Sequence, residues 1–467
     1  MSDLTEFPIA EIGRNLRARK FTARDLTDAA IANHDSRGEA LGAYKLWQAD
    51  AARDAADAAD ALFRVGADLG PFQGVPVSVK DLFAVNGLPT FAGSPNRLPP
   101  AFERQGPVVD ALRGQQAVIT GKTHTVEFAY GGAGVNNHWG SPRNPWDAND
   151  HRVSGGSSSG AGVSLCEGSA LIALGSDTAG SVRVPASVTG NVGLKVTHGR
   201  WSLAGITPLS PALDTPGVLA RTVADTTVAF GEIDRKASTG ALLSATESAS
   251  LDGLRIGICD DIFWQDCSPG IVEGVRQALD ELTEVGARLV PLELPEAEEV
   301  FGLFRRGGIV SAEFKSFLED ELPEWEATLD SVVSARMESA ADITAIEFVR
   351  RCRLMARCSA TAAGRLRAVD CVVTPSVSIT PPKLAEVSDV DGYMPRNMMM
   401  LRNTSIGNLL SLCALTMPVA LDAGAMPVGM QVLMPAGAEE KLLAVAGAME
   451  RKLGTGRERL GAPPLCA

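Results

Sequence analysis

The chain has 467 residues, of which 45% are hydrophobic and 21% are charged, values that are ordinary for a globular protein. Its formal net charge of −13 argues against a nucleic acid partner, because phosphate binding needs a basic patch. The sequence contains no apolar run of about 18 residues and begins with no secretory signal pattern. We therefore expect a cytoplasmic protein without nucleic acid or membrane partners.

The eight cysteines are scattered along the chain and form no C-x-x-C pair. In a reducing compartment this pattern is typical of buried free thiols, and it favours neither a disulfide framework nor a zinc site. We therefore expect no metal.

The N-terminal part of the chain contains two predicted helices and a strand. Thr22 to His34 is the first helix, with Thr22 as its cap and Asp25 in capping-box spacing, and the alanine-rich Ala51 to Phe63 is the second. The valine-rich Gly74 to Leu82 is typical of a strand and carries Lys80 near its end. A lysine on a strand usually extends to solvent, whereas a desolvated lysine has a lowered pKa and can act as a base.

A second predicted strand, Ala117 to Thr123, ends in G-K-T but lacks the glycine spacing of a phosphate-binding loop. Tyr130 to Gly134 follows as a glycine-rich loop.

The segment from His151 to Ser187 contains two glycine-serine clusters, centred on Gly156-Ser157 and Gly180-Ser181. Between them, Ala170 to Leu174 is predicted to be a buried strand. A strand that ends in a glycine-rich turn before a helix directs several N–H groups to one point, where an oxyanion can be held. This segment is therefore the first candidate for an active site.

Gly156 to Gly160 matches the G-x-S-x-G pattern of a hydrolase nucleophile, which requires a histidine much later in the chain. The last of the five histidines is His198, too close to Ser158 for that fold. A serine nucleophile here would need another base, and lysine is the known alternative.

The remaining sequence predicts further elements but fewer motifs. Strands and helices are predicted at Leu254 to Ile258, Gly270 to Val285, Arg288 to Val290, Thr344 to Val369 and Asp370 to Thr374. The methionines from Met394 to Met400 show no clear period; they are expected to fill gaps in the core, with an adaptable acyl pocket as the alternative.

The chain resembles the amidase signature family, the Ser-cisSer-Lys amidohydrolases, from about Lys80 to Val432. Ser157 and Ser181 are 24 residues apart (181 − 157), as in the family pattern. The matching motifs are V-S-V-K-D around Lys80, G-G-S-S-S-G from Gly155 to Gly160, and G-S-D-T-A-G-S-V-R-V-P-A-S from Gly175 to Ser187. The resemblance implies an α/β fold, with one large mixed β-sheet covered by helices. We expect a single domain over residues 1–467, with a helical part at about 1–65 and a less typical part at about 215–400.

The resemblance also assigns roles. Ser181 corresponds to the nucleophile, Ser157 to the bridging serine in a cis peptide bond with Gly156, and Lys80 to the terminal base. The oxyanion hole corresponds to the N–H groups of Thr178, Ala179, Gly180 and Ser181, although the family often has glycine at the position of Ala179. The loop that lines the substrate cleft corresponds to Tyr130, Gly131, Gly132 and Ala133. His124 stands where the family commonly has asparagine; a structural role is expected, with contact to the site as the alternative.

The function implied is hydrolysis of a carbon–nitrogen bond in a small non-peptide amide, carbamate or urea-type substrate through a serine acyl-enzyme. Serine, lysine and backbone donors suffice for this chemistry, so we expect no cofactor, and we expect a homodimer. One alternative is a glutamine-dependent amidotransferase subunit of the same family, which passes ammonia to a partner. A second is a non-catalytic binding protein on this scaffold, against which the intact Lys80, Ser157 and Ser181 argue.

Overall fold

A mixed β-sheet of 11 strands forms the centre of the molecule. The computed structural model describes residues 3–234, 236–259, 262–341 and 343–467. The strands are β1 Tyr44–Trp47, β2 Pro76–Lys80, β3 Val118–Thr123, β4 Ile172–Asp177, β5 Val192–Lys195, β6 Thr215–Ala220, β7 Arg255–Ile258, β8 Arg288–Pro291, β9 Cys371–Pro375, β10 Cys413–Leu421 and β11 Pro427–Met434. Their order across the sheet is β1-β3-β2-β4-β6-β5-β10-β11-β9-β7-β8. The predicted fold class, a large mixed sheet with helices around it, is confirmed.

The strands that carry the site lie next to one another in the parallel part of the sheet. β2 pairs in parallel with both β3 and β4, so their carboxyl ends meet at the same edge. All five residues of β2 are buried, and Val77 and Val79 lie in one core cluster with Ile172 and Leu174. A strand covered on both sides is rich in apolar residues, which explains the valines before Lys80.

The described residues form sixteen α-helices around this sheet. They are α1 Ile9–Arg17, α2 Ala23–Leu41, α3 Ala49–Arg64, α4 Pro107–Arg113, α5 Ser159–Glu167, α6 Arg183–Thr189, α7 Val223–Ile233, α8 Thr239–Ser248, α9 Ile271–Thr283, α10 Glu296–Arg305, α11 Ile309–Glu321, α12 Ser331–Met337, α13 Ala345–Arg365, α14 Val390–Leu409, α15 Glu439–Leu453 and α16 Gly456–Leu460. Within these described residues, no helix is long and apolar enough to cross a membrane.

The predicted capping box of α2 is present. The Thr22 hydroxyl accepts the N–H of Asp25 at 3.0 Å, and the Asp25 carboxylate accepts the N–H of Thr22 at 2.8 Å. Thr344 likewise caps α13, since its side chain accepts the N–H of Glu347. These local signals locate helix starts because each side chain satisfies a backbone donor that the helix leaves free.

The methionine-rich segment from Met394 to Met400, which showed no period in the sequence, lies within the continuous helix α14. Every residue from Met400 to Leu409 is buried, polar side chains included, so the C-terminal half of this helix has no exposed face and no amphipathic period. The short strand β1 was not predicted either; it pairs antiparallel with β3.

Candidate active site

Lys80, the last residue of β2, is fully buried. Its Nζ lies 2.7 Å from the Oγ of Ser157 and 2.9 Å from the Oγ of Ser176. Burial lowers the pKa of Lys80 to about 7, against the opposing effect of the carboxylates of Asp177 and Asp214. The amine is therefore substantially uncharged near neutral pH, as a base must be.

The bridging serine, Ser157, is also fully buried, and its peptide bond with Gly156 is cis. The next residue, Ser158, is hydrogen-bonded to the segment that contains the second glycine-serine cluster. Ser158 donates to the carbonyl oxygen of Ser181 twice, from its N–H at 3.2 Å and from its hydroxyl at 2.6 Å. The two glycine-serine clusters of the sequence therefore lie together.

A buried ion pair fixes the turn between β4 and α6. Asp177 lies against Arg183, with Nη2 2.9 Å from Oδ1 and Nε 3.1 Å from Oδ2, and both side chains are fully buried. Burial disfavours the charged carboxylate, but the guanidinium outweighs it and holds the pKa of Asp177 well below its usual range. Asp177 and Arg183 therefore brace the loop that carries Ser181.

The same carboxylate accepts one of the four N–H groups assigned to the oxyanion hole. The N–H of Gly180 donates to Asp177 Oδ1 at 2.8 Å. The described part of the chain offers no such acceptor to the N–H groups of Thr178, Ala179 and Ser181. Gly180 has another reason to be glycine: its φ is +130°, and a Cβ there would clash with the Oγ1 of Thr404.

Asp214, a residue with no family motif in the sequence, holds Thr178. The hydroxyl of Thr178 donates to Asp214 Oδ1 at 2.5 Å. The N–H groups of Leu209 and Ser210 donate to Oδ2 at 2.9 and 3.0 Å. Burial raises the pKa of Asp214 to about 6, while these donors lower it. Because Leu209 and Thr178 both line the cavity at Ser181, this one carboxylate joins two of its walls.

Ser181 opens into a small cavity, and a larger one adjoins it. The small cavity has a volume of about 20 Å³ and includes Ser181, Thr178 and Ala179 in its lining. The larger one has a volume of about 140 Å³. Both are lined by Tyr130, Phe304, Val310 and Arg336. A molecule in the larger cavity therefore lies next to the route to Ser181.

The predicted substrate loop is only partly exposed to these cavities. Tyr130 lines both, and Gly131 lines the small one. Gly132 and Ala133 line neither: the N–H of Gly132 donates to Asn397 Oδ1 at 2.7 Å, its carbonyl accepts the N–H of Gly156 at 2.7 Å, and Ala133 is fully buried. Gly132 and Ala133 therefore support the loop and do not contact either cavity.

His124 is not among the residues that line either cavity. Burial lowers the pKa of its imidazole to about 4, and its backbone N–H donates to the carbonyl oxygen of Ala43. These contacts agree with the structural role expected for it.

Lys122, from the rejected G-K-T motif, lies 2.7 Å from Asp81, and both are buried.

Several residues of the site carry no signal in the sequence: Phe304 and Arg336 line the cavities, and Asp214 holds Thr178. Met394 and Met398 line the larger cavity, which agrees with the alternative expectation that these methionines form an adaptable acyl pocket. In the described residues, no cluster of three or more His, Cys, Asp or Glu side chains could hold a metal ion.

Known proteins resemble this chain along nearly all of its length. The Amidase family matches residues 25–443. A 2-amino-5-chloromuconic acid deaminase of Comamonas testosteroni is 50% identical, over 98% of this chain and 98% of that protein. One subunit of the glutamyl-tRNA(Gln) amidotransferase of Cutibacterium acnes is 30% identical, over 100% of this chain and 98% of that protein.

The fold is shared as well. The crystal structure of an amidase superimposes with a TM-score of 0.85 at 30% sequence identity, covering 96% of this chain and 100% of the other. The chain therefore belongs to the amidase signature family and is a hydrolase of non-peptide carbon–nitrogen bonds.

Proposed function

We propose that Ser181 is the nucleophile of this hydrolase, that Ser157 relays its proton, and that Lys80 is the base. The observation that carries the proposal is the 2.7 Å contact between the buried Lys80 Nζ and Ser157 Oγ, next in the chain to Ser158, which hydrogen-bonds to the carbonyl oxygen of Ser181. A serine hydroxyl is a weak nucleophile without a base, and the lowered pKa of Lys80 makes its amine such a base.

In the first half of the reaction, Ser157 gives its proton to Lys80 and takes the proton of Ser181, whose oxygen attacks the substrate carbon. The N–H groups of Thr178, Ala179 and Ser181 stabilise the negative charge that develops on the substrate oxygen. One such donor typically contributes about 2.7–4 kcal/mol to lowering the barrier. The proton returns to the leaving nitrogen as the carbon–nitrogen bond breaks, and water then releases the acid from Ser181.

The relative from Comamonas testosteroni indicates which leaving group to test first. That protein is named as a deaminase of 2-amino-5-chloromuconic acid, and it shares half of its residues with this chain. We propose that this chain likewise releases ammonia from a small molecule. With an amino-substituted unsaturated acid, Ser181 would add to the carbon of the imine tautomer, and ammonia would leave as its C–N bond breaks. Water would then add to that carbon, and the bond to Ser181 would break as C=O forms, with the proton returning to the serine oxygen. Overall, water replaces C=NH by C=O and frees one ammonia.

The second candidate is an amidotransferase subunit, favoured by the 30% identity to the protein from Cutibacterium acnes. Both functions use the same serine chemistry, so the site geometry does not separate them. They differ in their dependence on a partner, because the amidotransferase subunit passes its ammonia to another protein.

The test is product release by the purified chain alone. The panel contains 2-aminomuconate, aliphatic and aryl amides, carbamates, substituted ureas and glutamine, with ammonia, amine and acid measured together. We expect turnover of a substrate other than glutamine, and its loss in Ser181→Ala but not in the surface control Ser244→Ala. Activity on glutamine alone, or no activity by a folded chain without a partner, would favour the amidotransferase role. Full activity of Ser181→Ala would refute the assignment of the nucleophile.

The single domain, the homodimer and the cytoplasmic location expected from the sequence stay predictions. Limited proteolysis tests the first, light scattering after size-exclusion chromatography tests the second, and cell fractionation tests the third.

A further inference from the structure

The larger cavity is lined by positive charge. Its lining includes three arginines, Arg305, Arg306 and Arg336, and no aspartate or glutamate among the residues that the structure describes. This lining contrasts with the formal net charge of −13 of the whole chain. Positive charge around a concave surface raises the local concentration of anions.

Arg336 is the arginine at the junction with the small cavity. It lines both cavities, and Ser181 lines the small one. Because Arg336 and Ser181 line the same small cavity, a group bound at Arg336 would lie on the same side of the molecule as the carbon that Ser181 attacks.

The position of Arg336 is fixed from one side. Its guanidinium lies over the ring of Tyr130, 4.5 Å from the centroid, and the Tyr130 hydroxyl donates to its carbonyl oxygen at 3.3 Å. A guanidinium that stacks on an aromatic ring can still donate hydrogen bonds, because its N–H groups point outward in its own plane.

The polar atoms of Arg336 are not fully used within the protein. Its Nε is buried and makes no hydrogen bond of good geometry in the part of the chain that the structure describes. The guanidinium does interact with the buried hydroxyl of Tyr393, whose pKa it lowers against the effect of burial. A buried donor without a partner is costly unless a ligand satisfies it. The planar, always charged guanidinium matches a carboxylate in geometry as well as in charge.

We propose that Arg336 binds a carboxylate of the substrate and thereby restricts the enzyme to small organic acids whose carboxylate lies close to the scissile carbon–nitrogen bond. This inference rests on the proposed function, since it takes Ser181 as the reacting residue. Arg305 and Arg306, which are exposed at the larger cavity, attract the anion and accommodate a second acidic group farther from Ser181.

A structural role is the competing explanation, in which Arg336 only packs on Tyr130 and supports the wall of the cavity. The two explanations differ in their dependence on substrate charge. Loss of a wall lowers turnover of acidic and neutral substrates alike, whereas loss of a carboxylate partner lowers turnover of acids only.

The kinetic test compares an acidic substrate from the panel with its methyl ester, in the wild type, Arg336→Gln and Arg336→Lys. We expect Arg336→Gln to lower kcat/KM for the acid about 10- to 100-fold, mainly through KM, as the loss of a charge-assisted hydrogen bond does. The ester should change less than about threefold, and Arg336→Lys should recover part of the activity on the acid. Arg367→Gln, an exposed arginine away from the cavities, is the matched control. Equal losses for acid and ester would overturn the proposal.

A binding test works without turnover and so separates this inference from the proposed function. Isothermal titration calorimetry measures binding of muconate, a dicarboxylate, and of dimethyl muconate to Ser181→Ala. We expect muconate to bind, the ester to bind about tenfold more weakly or worse, and Arg336→Gln in the same background to reduce muconate affinity by about tenfold or more. If muconate does not bind, or binds Arg336→Gln equally well, the carboxylate site is refuted even when Ser181 is the nucleophile. If muconate binds as expected but Ser181→Ala retains turnover, the proposed nucleophile fails and the carboxylate site stands.

Discussion

Replacing Lys80 by methionine should abolish turnover and at the same time change how stability depends on pH. Lys80 is fully buried, and its pKa lies at about 7, below the ordinary lysine value of 10.5. Methionine has a similar length and no charge to desolvate. The variant therefore removes the base and its titration together.

The size of the effect follows from the shift of 3.5 pH units (10.5 − 7). Each unit corresponds to about 1.4 kcal/mol, so keeping Lys80 charged in the folded state costs about 5 kcal/mol. Between about pH 7 and 10.5, the unfolded chain holds a proton on Lys80 that the folded chain lacks. Stability conferred by this group therefore rises with pH across that window and is constant below it.

The assay is urea unfolding of the wild type and Lys80→Met at several pH values from about 6 to 10. We expect the difference in the free energy of unfolding to change by about 1.4 kcal/mol per pH unit above about pH 7, in favour of the wild type. The loss of hydrogen bonds to Ser157 and Ser176 shifts the curve of the variant but not this slope. In the wild type, kcat/KM should also fall about tenfold per pH unit below about pH 7, because protonated Lys80 is not a base. Parallel stability curves would refute the lowered pKa of Lys80, and turnover by Lys80→Met would refute its role as the base.

Three further changes test the surroundings of the turn. Arg183→Met leaves a buried carboxylate unpaired and should lower the free energy of unfolding by about 3–5 kcal/mol in urea; a change below about 1 kcal/mol would show that the ion pair is unimportant. Gly180→Ala places a Cβ against Thr404 and should lower kcat/KM about 100-fold, as a displacement of about 1 Å does; an unchanged rate would contradict this. Asp214→Asn removes a carboxylate that raises the pKa of Lys80, so the acid limb of the pH profile should move below about pH 7; a move upward would contradict the sign.

The sequence was sufficient to predict the elements whose signals are local. β2 and β4 are short apolar runs, and Thr22 and Thr344 satisfy helix donors within three residues of themselves. The spacing of the glycine-serine motifs identified the family. That spacing did not reveal that the N–H of Gly180 donates to the carboxylate of Asp177, because this hydrogen bond depends on the geometry of the turn.

Tyr130 and the residues around Ser181 were predicted to line the site, but the opposite walls of the cavities could not be predicted from the sequence. Phe304, Val310 and Arg336 lie in the segment at about 215–400 where family motifs are sparse, and they meet Tyr130 only in the folded chain. The same holds for Asp214, since its contact with Thr178 joins positions 36 residues apart. The residues proposed to set specificity therefore have no local sequence pattern, whereas the proposed catalytic groups lie in recognisable motifs.

The most direct test of the central claim is covalent labelling with a fluorophosphonate probe, followed by peptide mass spectrometry. The probe reacts with serines that a base activates, so it requires no knowledge of the substrate. We expect a single rapid adduct on Ser181 that is lost in Ser181→Ala and slowed about 100-fold or more in Lys80→Met. Labelling of another serine, or equal labelling of the wild type and Lys80→Met, would contradict the claim.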